Sequence, residues 1–292
     1  MTAPDDRFSV MILCGTAPRH LYVANRLIRA GKVIGVVQEV GSRPTWKKFL
    51  RMLLHPSILL QKIWFSMRAR RLKIREQEAS FFFGTQSPVL EWNGVRLAAP
   101  HINHPEVVAL AERLEPDLIV VFGTSLIREP LLSRARHAMI NLHGGLSPHY
   151  RGADCTFWAL ANQEPEQVGC TLHFIDPGID TGKLVAHVRP AVEPLDNENT
   201  LFWRAVREAA ECLVELPSRM AQGERFGVIQ TSKGRLYQVK ERTLSAQRHL
   251  DHLLSQGMLR DLHLPRRIQW FYNDTLEQIA VDQMGDMVNK ER

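Results

Sequence analysis

The chain has 292 residues, of which 45% are hydrophobic and 23% are charged. This composition is typical of a globular protein and excludes a wholly disordered chain, a collagen-like repeat and a small disulfide scaffold. The formal net charge is +6, but residues 41–76 alone contain ten Lys or Arg and one acidic residue. Because a general nucleic-acid-binding surface would spread its basic residues more widely, nucleic acid is not an expected partner.

The N-terminus and the cysteines indicate the compartment. Residues 1–8 include two aspartates and no apolar run, so a secretory signal is not expected. The longest apolar stretch, residues 50–64, is interrupted by charged residues and is too polar to span a bilayer. The four cysteines form no C-x-x-C pair, which gives no zinc signature, and so few thiols fit a reducing compartment. We therefore predict a cytoplasmic protein with no metal site and no membrane span.

The first forty residues have the pattern of a β-α-β unit. Apolar runs predict strands over residues 9–14 and 32–37, and apolar residues at helical spacing predict a helix over 19–30. Because strands joined by a crossover helix run parallel, the sheet is expected to begin as a parallel sheet.

The basic segment that follows is predicted to be a helical insertion over about residues 41–90. Apolar residues recur at helical spacing over 46–54 and again over 58–64, which indicates two or three helices. Two interpretations of its charge are open. The basic residues either face water on a structural decoration, or they bind an anionic partner such as a phosphorylated substrate or a membrane surface.

The remainder of the chain alternates predicted strands and helices up to a break near residue 197. Strands are predicted over 116–122, 138–143, 167–175 and 184–192, and helices over 104–113, 130–136 and 200–222. A hairpin is predicted around residues 232–234, a helix over 244–254 and helical or mixed structure over 262–280. The fold class is therefore α/β, with a Rossmann-like, mostly parallel sheet in residues 1–197 and a small α+β region in residues 198–292.

Two polar residues stand at the end of the strand predicted over 138–143. Asn141 and His143 are two residues apart, so on a strand they point to the same side. An amide can donate a hydrogen bond to a developing oxyanion, and an imidazole can exchange a proton near neutral pH. Alone, such a pair is more often two satisfied buried polar groups than a catalytic pair. The glycines, Pro148 and Arg151 that follow indicate a fixed loop at the sheet edge where α/β proteins bind ligands.

A second polar stretch, Asp-Pro-Gly-Ile-Asp-Thr-Gly over residues 176–182, follows the strand predicted over 167–175. Alone it is typical of an ordinary turn between strands.

Together the two stretches resemble the folate-dependent formyltransferases, a family that includes glycinamide ribonucleotide, methionyl-tRNA and sugar N-formyltransferases. The resemblance rests on Asn141-x-His143, on Leu-Ser-Pro-x-x-Arg-Gly over residues 146–152, and on Ile-Asp-Thr-Gly over residues 179–182. It covers roughly residues 8–40 and 92–192. Residues 41–92 offer no recognisable counterpart.

The resemblance implies a reaction and a set of residues. Asn141, His143 and Asp180 would be catalytic, and 10-formyltetrahydrofolate would give its formyl group to an amine through a tetrahedral oxyanion, without a metal. Residues 1–197 would then be the catalytic domain. The folate would lie against two loops, whose cofactor-binding residues would be Gly123, Thr124, Ser125, Leu126, Ile127, Asp176 and Gly178.

The chain departs from the family pattern in two places. Gly145 and Ser147 stand where Ser and Leu are common, in a loop expected to contact the acceptor. Residues 15–18, Gly-Thr-Ala-Pro, lack the glycine-rich phosphate loop of the glycinamide ribonucleotide enzymes, so that acceptor is not expected.

Several acceptors stay open. The favoured acceptor is a primary amine on an amino sugar, nucleotide-linked and therefore anionic, or on a similar small molecule. The alternatives are methionyl-tRNA, water in a 10-formyltetrahydrofolate deformylase, and a catalytically silent relative that binds folate or a partner protein. A homodimer is compatible with the sequence.

Overall fold

The structure is a computed structural model that describes residues 8–41 and 56–273. The described residues contain ten strands, which are β1 (Ser9–Cys14), β2 (Lys32–Glu39), β3 (Arg96–Ala99), β4 (Leu118–Phe122), β5 (Ala138–His143), β6 (Tyr150–Gly152), β7 (Cys170–Phe174), β8 (Leu184–Arg189), β9 (Arg235–Tyr237) and β10 (Arg267–Trp270). The α-helices in the same residues are α1 (Pro18–Ala30), α2 (Pro56–Arg71), α3 (Ile74–Phe83), α4 (Pro105–Leu114), α5 (Cys155–Ala161), α6 (Glu198–Ala221) and α7 (Leu244–Ser255).

Eight of these strands form one sheet in the order β10-β8-β7-β5-β4-β1-β2-β3. Strands β5, β4, β1, β2 and β3 run parallel to one another, whereas β7, β8 and β10 are added beyond β5, each antiparallel to the strand before it. The prediction of a Rossmann-like, mostly parallel sheet is confirmed. The carboxyl ends of β1, β4 and β5 meet at one edge, where ligands bind in folds of this kind.

The central strands are buried on both faces, and their side chains alternate between two core layers. In β1, Val10 and Ile12 contribute to the layer beneath α1 and α6, while Met11 and Leu13 contribute to the layer beneath α4. Because successive strand residues point to opposite faces, an uninterrupted apolar run is the pattern that such a doubly covered strand requires.

The sequence explains where several helices begin and end. Helix α1 has a proline in its first turn and ends at Gly31, and α6 begins with a capping box formed by Asn197 and Thr200. None of the helices in the described ranges is long and apolar enough to cross a membrane.

The predicted insertion contains α2 and α3. The helix predicted over 46–54 lies outside the described residues. Helix α3 packs on the main body, because Phe82 contacts Tyr22 of α1 and Phe81 contacts Trp203 of α6. Helix α2 carries Arg68, Arg70 and Arg71 in its last turn. Part of the insertion is therefore structural, while α2 keeps cations available at the surface.

The region after residue 197 differs from its prediction in two ways. Residues 226–231 and 235–240 do not pair as a hairpin, so that prediction is wrong: β9 pairs in parallel with β6, and Val228 bridges Leu184. The stretch over 262–273 forms the edge strand β10, which pairs with β8, and residues 274–280 lie outside the described residues. The domain division near residue 197 stays a prediction; α6 shares the core of the main sheet.

Candidate functional site

Strands β5 and β7 bring three polar side chains together at the edge of the sheet. Asn141 and His143 lie on β5, and the antiparallel register places Asn141 opposite His173 of β7. The His143 and His173 rings are both buried. Their ring centroids lie 6.3 Å apart.

His143 is surrounded by oxygen acceptors. Its Nδ1 lies 3.3 Å from Oδ2 of Asp180, and its Nε2 lies 3.0 Å from the main-chain oxygen of Tyr150. Burial lowers the pKa of His143, although the Asp180 carboxylate opposes this shift. The ring is therefore neutral at rest, yet a protonated ring would find an acceptor at each nitrogen.

A thiol also touches this ring. Sγ of Cys155 lies 3.6 Å from Nε2 of His143, and burial raises the pKa of the Cys155 thiol. The thiol therefore stays neutral and acts as a small packing group beside the imidazole.

Asp180 is held in place by its backbone and by two neighbouring groups. Its φ is +52°, in the left-handed region, which directs the carboxylate back towards β5. The amide N–H of Gly152 donates to Oδ2 at 2.8 Å, and Gln230 donates to the Asp180 main-chain oxygen at 3.0 Å. Burial alone would raise the pKa of Asp180, but the neighbouring His143 ring and the hydrogen bond from the Gly152 N–H oppose burial, and the pKa is lowered to about 2. The carboxylate is therefore ionised at neutral pH.

His173 is a site residue that the sequence analysis missed. Its Nδ1 lies 2.8 Å from the main-chain oxygen of Phe174, so Nδ1 carries the hydrogen and Nε2 can accept. Nε2 lies 3.1 Å from the amide nitrogen of Asn141 and 3.5 Å from Oδ1 of Asp180. His173 thus fixes the orientation of the Asn141 amide. The signal in the sequence is a histidine in an otherwise apolar strand.

Arg151 joins the two motifs. Its buried guanidinium donates through Nε and Nη2 to the main-chain oxygen of Ile179, at 3.0 and 2.7 Å. The loop that follows β5 and the loop that contains Asp180 are therefore tied together by one side chain.

Gly145 and Ser147, the two residues at which the loop after β5 departs from the family pattern, are both packed against neighbouring groups. A Cβ on Gly145 would lie 2.5 Å from Cβ of Cys155, so the close approach requires glycine. Ser147 is fully buried, and its main-chain oxygen accepts from His187 Nε2 at 2.8 Å.

The loop after β4 contains five of the predicted cofactor residues, Gly123, Thr124, Ser125, Leu126 and Ile127. Gly123 has φ +71°, and a Cβ there would lie 2.1 Å from the His20 ring. The Ser125 N–H donates to Glu39 at 2.6 Å, and Asn103 donates to the Leu126 main-chain oxygen at 2.8 Å. The loop is therefore held by groups outside it.

The loop after β7 contains Asp176 and Gly178. Oδ1 of Asp176 accepts from the Gly178 N–H at 3.1 Å and from the Thr181 hydroxyl at 2.7 Å. The Asp176 carboxylate thus stabilises its own turn.

Both loops line one cleft of about 550 Å³, which we call the main cleft. Asn141, His143 and Asp180 stand along it, and all seven predicted cofactor residues line it. Residues 236–239, which the sequence analysis did not select, close another side. Two aliphatic side chains face the cleft while partly exposed, Leu126 at 39% and Ile179 at 41%. Within residues 8–41 and 56–273, no group of His, Cys, Asp or Glu is arranged to hold a metal ion.

A family model described as formyl transferase matches residues 67–216, which is half of the chain. The chain belongs to the formyl transferase family. The matched segment runs from α2 to α6 and contains Asn141, His143 and Asp180. It also includes residues 67–92, for which the sequence analysis found no counterpart.

Curated members of the formyl transferase family match over part of their length. A methionyl-tRNA formyltransferase from Geobacter metallireducens is 36% identical over 138 residues, which are 46% of this chain and 44% of that protein. Another methionyl-tRNA formyltransferase, from Chlorobium chlorochromatii, is 33% identical over 120 residues, 41% of this chain and 38% of that protein. The chain therefore spans less than half the length of these relatives.

Solved structures of formyltransferases share the fold. A sugar N-formyltransferase from a Shewanella species has a TM-score of 0.53 at 15% identity, covering 83% of this chain and 86% of that chain. A glycinamide ribonucleotide transformylase from Symbiobacterium toebii has a TM-score of 0.50 at 21% identity, covering 82% and 98%. The fold shared with these structures therefore covers more of the chain than residues 67–216, which the family model matches.

Proposed function

We propose that this formyl transferase family member moves a formyl group from 10-formyltetrahydrofolate to a primary amine. The observation that carries the proposal is the convergence of Asn141, His143 and Asp180 at the main cleft, with His143 Nδ1 3.3 Å from Asp180 Oδ2. An amide donor, an imidazole and an ionised carboxylate at the edge of one cleft suit acyl transfer to an amine. We propose a cytoplasmic location, in keeping with four free, buried cysteines.

The main cleft suits a flat heterocycle. Leu126 and Ile179 present apolar surface to the cleft. We propose that the cofactor binds against Gly123, Thr124, Ser125, Leu126 and Ile127 on one side, and against Asp176 and Gly178 on the other. The bound cofactor would supply the formyl carbon.

Asn141 is suited to stabilise negative charge. One hydrogen of its amide points to Nε2 of His173, which leaves the second hydrogen for an oxygen that gains charge in the transition state. An oriented donor of this kind typically lowers a barrier by about 3 kcal/mol.

His143 and Asp180 are suited to manage the proton that the attacking amine loses. Burial keeps His143 neutral at rest, so the ring is ready to take a proton. Once protonated, it would donate to Asp180 and to the Tyr150 carbonyl. Asp180 can pass the proton from the attacking amine to Nδ1 of His143, directly or through water. Its carboxylate can then stabilise the charged ring.

For the acceptor we propose an amino sugar, nucleotide-linked, or a similar small amine. A cavity of about 350 Å³ adjoins the main cleft at Gly144 and Gly152, next to His143. A cavity of this size suits a sugar better than a macromolecular acceptor. Methionyl-tRNA is the second candidate, because the curated relatives in sequence are methionyl-tRNA formyltransferases. More than half of each relative is unmatched, so their acceptor does not transfer with the likeness.

The test is to incubate the protein with 10-formyltetrahydrofolate alone, with pools of nucleotide-linked amino sugars, and with methionyl-tRNA. Release of tetrahydrofolate only with an amino sugar supports the proposal. Release only with methionyl-tRNA refutes the assignment of an amino sugar as the acceptor. Release without any amine indicates a deformylase. No release under any condition, while a folate analogue binds, indicates a silent relative. A folded His143→Ala protein is the control.

A further inference from the structure

Helix α2 is held to the rest of the molecule by one of its sides. Gln61 donates to the Arg242 main-chain oxygen at 2.8 Å, and Arg68 pairs with Asp251 at 2.7 Å. The Arg242 guanidinium also lies over the Phe65 ring, 5.6 Å from its centroid. Positions 61, 65 and 68 are spaced by one helical turn each, so they share one side of the helix. We call this side the inner face of α2.

The opposite side of α2 exposes large apolar side chains. Leu60 and Met67 are each 65% exposed, and Ile63 is 46% exposed. Their spacing of three and four residues aligns them in one stripe, on the side away from the inner face. We call this stripe, with the neighbouring exposed residues Arg70 and Arg71, the outer face of α2. A helix that is apolar on both sides is normally buried, so the outer face is expected to have a binding partner.

The outer face is bordered by positive charge. Residues 56–76 contain six Lys or Arg and one acidic residue. Arg68 is paired on the inner face, whereas the side chains of Arg70, Arg71 and Lys73 form no ion pair or hydrogen bond with any residue that the structure describes. The helix dipole favours cations in a last turn, but it does not account for exposed aliphatic side chains on the same helix. The partner therefore has to bind both kinds of group.

An anionic lipid surface meets both requirements. A second copy of this chain would bring two outer faces together, and because neither face carries an acidic residue, their cations would repel each other. Nucleic acid would offer phosphates to the arginines but no aliphatic surface to Leu60, Ile63 and Met67. The interface of a bilayer offers acyl chains and charged headgroups at neighbouring depths, which is the order of groups that a basic, apolar helix face needs.

The length of α2 suits a helix that lies along a membrane surface. Its 16 residues extend about 24 Å, which is too short to cross a hydrocarbon core of about 30 Å. A helix in the interfacial plane buries its apolar side among the headgroups and upper acyl chains, while long cationic side chains stay with the headgroups. Because the inner face holds the main body on the opposite side of α2, the outer face can meet a bilayer while the sheet stays outside it.

We propose that the outer face of α2 docks the protein reversibly on membranes that contain anionic lipids. Leu60, Ile63 and Met67 enter the interface, and Arg70 and Arg71 contact the negatively charged headgroups. Both contributions are needed, because a short apolar stripe or a small group of cations binds a membrane only weakly by itself. The inference does not rest on the proposed function, since docking requires neither folate nor amine.

The test is flotation of the full chain with vesicles of equal parts phosphatidylcholine and phosphatidylserine, and with vesicles of phosphatidylcholine alone. The protein should bind the anionic vesicles roughly tenfold more tightly or better, and the binding should weaken as salt rises. Leu60→Ser combined with Met67→Ser should lower this binding by roughly tenfold or more, because two apolar side chains are removed. Leu195→Ser is the control, since Leu195 is 95% exposed on another segment, and its binding should be unchanged.

The charge contribution is tested by Arg70→Gln combined with Arg71→Gln. Each cation near an anionic surface contributes roughly fivefold to binding, so the double variant should bind about 25-fold more weakly and depend less on salt. Lys32→Gln combined with Arg113→Gln is the matched control, because it removes two exposed cations from other elements. Its vesicle binding should be unchanged. Thermal unfolding checks that every variant is folded.

Several results would overturn the inference. Failure of the unaltered protein to bind anionic vesicles would do so, as would equal binding to vesicles of phosphatidylcholine alone. Equal losses in the variants and their controls would show that the outer face is not the contact. If the arginine variant loses affinity for unfractionated tRNA but not for vesicles, the face binds nucleic acid instead. If sedimentation shows a dimer that the Leu60 and Met67 variant dissociates, without vesicle binding, the partner is a second copy.

Discussion

Replacing Asp180 by Asn keeps the shape of the side chain but removes its charge. The pKa of Asp180 is about 2, and an exposed aspartate has a pKa of about 4, so the ionised carboxylate contributes about 2 kcal/mol to folding at neutral pH. Because the pKa is lowered in the folded state, this stability is fully present above about pH 4 and is lost as the pH falls towards 2. Roughly half of it should be gone at pH 3.

The measurement is urea unfolding of both proteins at pH 7, 5 and 3. Asp180→Asn should be less stable by about 2 kcal/mol at pH 7, and the difference should narrow to about 1 kcal/mol at pH 3. Asp261→Asn, at an exposed position, should show no such narrowing. A constant difference between Asp180→Asn and the unaltered protein across this range would refute the electrostatic account of Asp180. The same variant should lower kcat at least a hundredfold, about 3 kcal/mol of barrier.

Three more substitutions test the site. His143→Ala and Asn141→Ala should each lower kcat by two or more orders of magnitude with unchanged circular dichroism, and near-normal rates in a folded protein would contradict the assignment. His173→Leu should lower kcat by roughly tenfold to a hundredfold while the folate KM stays within a few-fold, because the Asn141 amide loses its orienting acceptor; an unchanged kcat would make His173 a packing residue. Gly123→Ala should lower the unfolding free energy by about 2 kcal/mol or more and weaken binding of a folate analogue, because the new methyl group meets a histidine ring. Gly223→Ala is its control, since Gly223 also has a positive φ but open space around the Cβ position; equal losses would mean that backbone strain alone is responsible.

The part of the site that could be predicted from sequence is the part with local periodicity. Asn141 and His143 share a face because a strand alternates, and β5 has the bounds that the apolar run predicted. Asp180 could be selected only through the family resemblance, because its own stretch has the pattern of an ordinary turn.

The parts that sequence did not predict depend on pairing between distant segments. The role of His173 follows from the antiparallel register of β7 on β5, which no local pattern specifies. Around residue 234 the predicted hairpin does not form, because the strand that follows, β9, pairs with β6, which is too short to have a pattern of its own. Three carboxylates, from Glu78, Asp154 and Glu198, line the cavity that adjoins the main cleft at Gly144 and Gly152, and they likewise come from segments far apart in the chain.

The pairing of β9 with β6 also bears on how such a protein can change its specificity. Residues 235–242 form a short stretch that lines the main cleft through Tyr237 and Val239. Through Arg242 the same stretch lines the cavity that adjoins the main cleft at Gly144 and Gly152. The catalytic residues lie outside this stretch, on β5 and on the loop of Asp180. Exchange of a few residues here could therefore retune the acceptor by loop grafting without disturbing the reaction. The constraint on such a graft is Gly152, where any side chain would meet the Tyr237 main-chain oxygen at 2.3 Å, so an imported segment must keep the same close backbone approach.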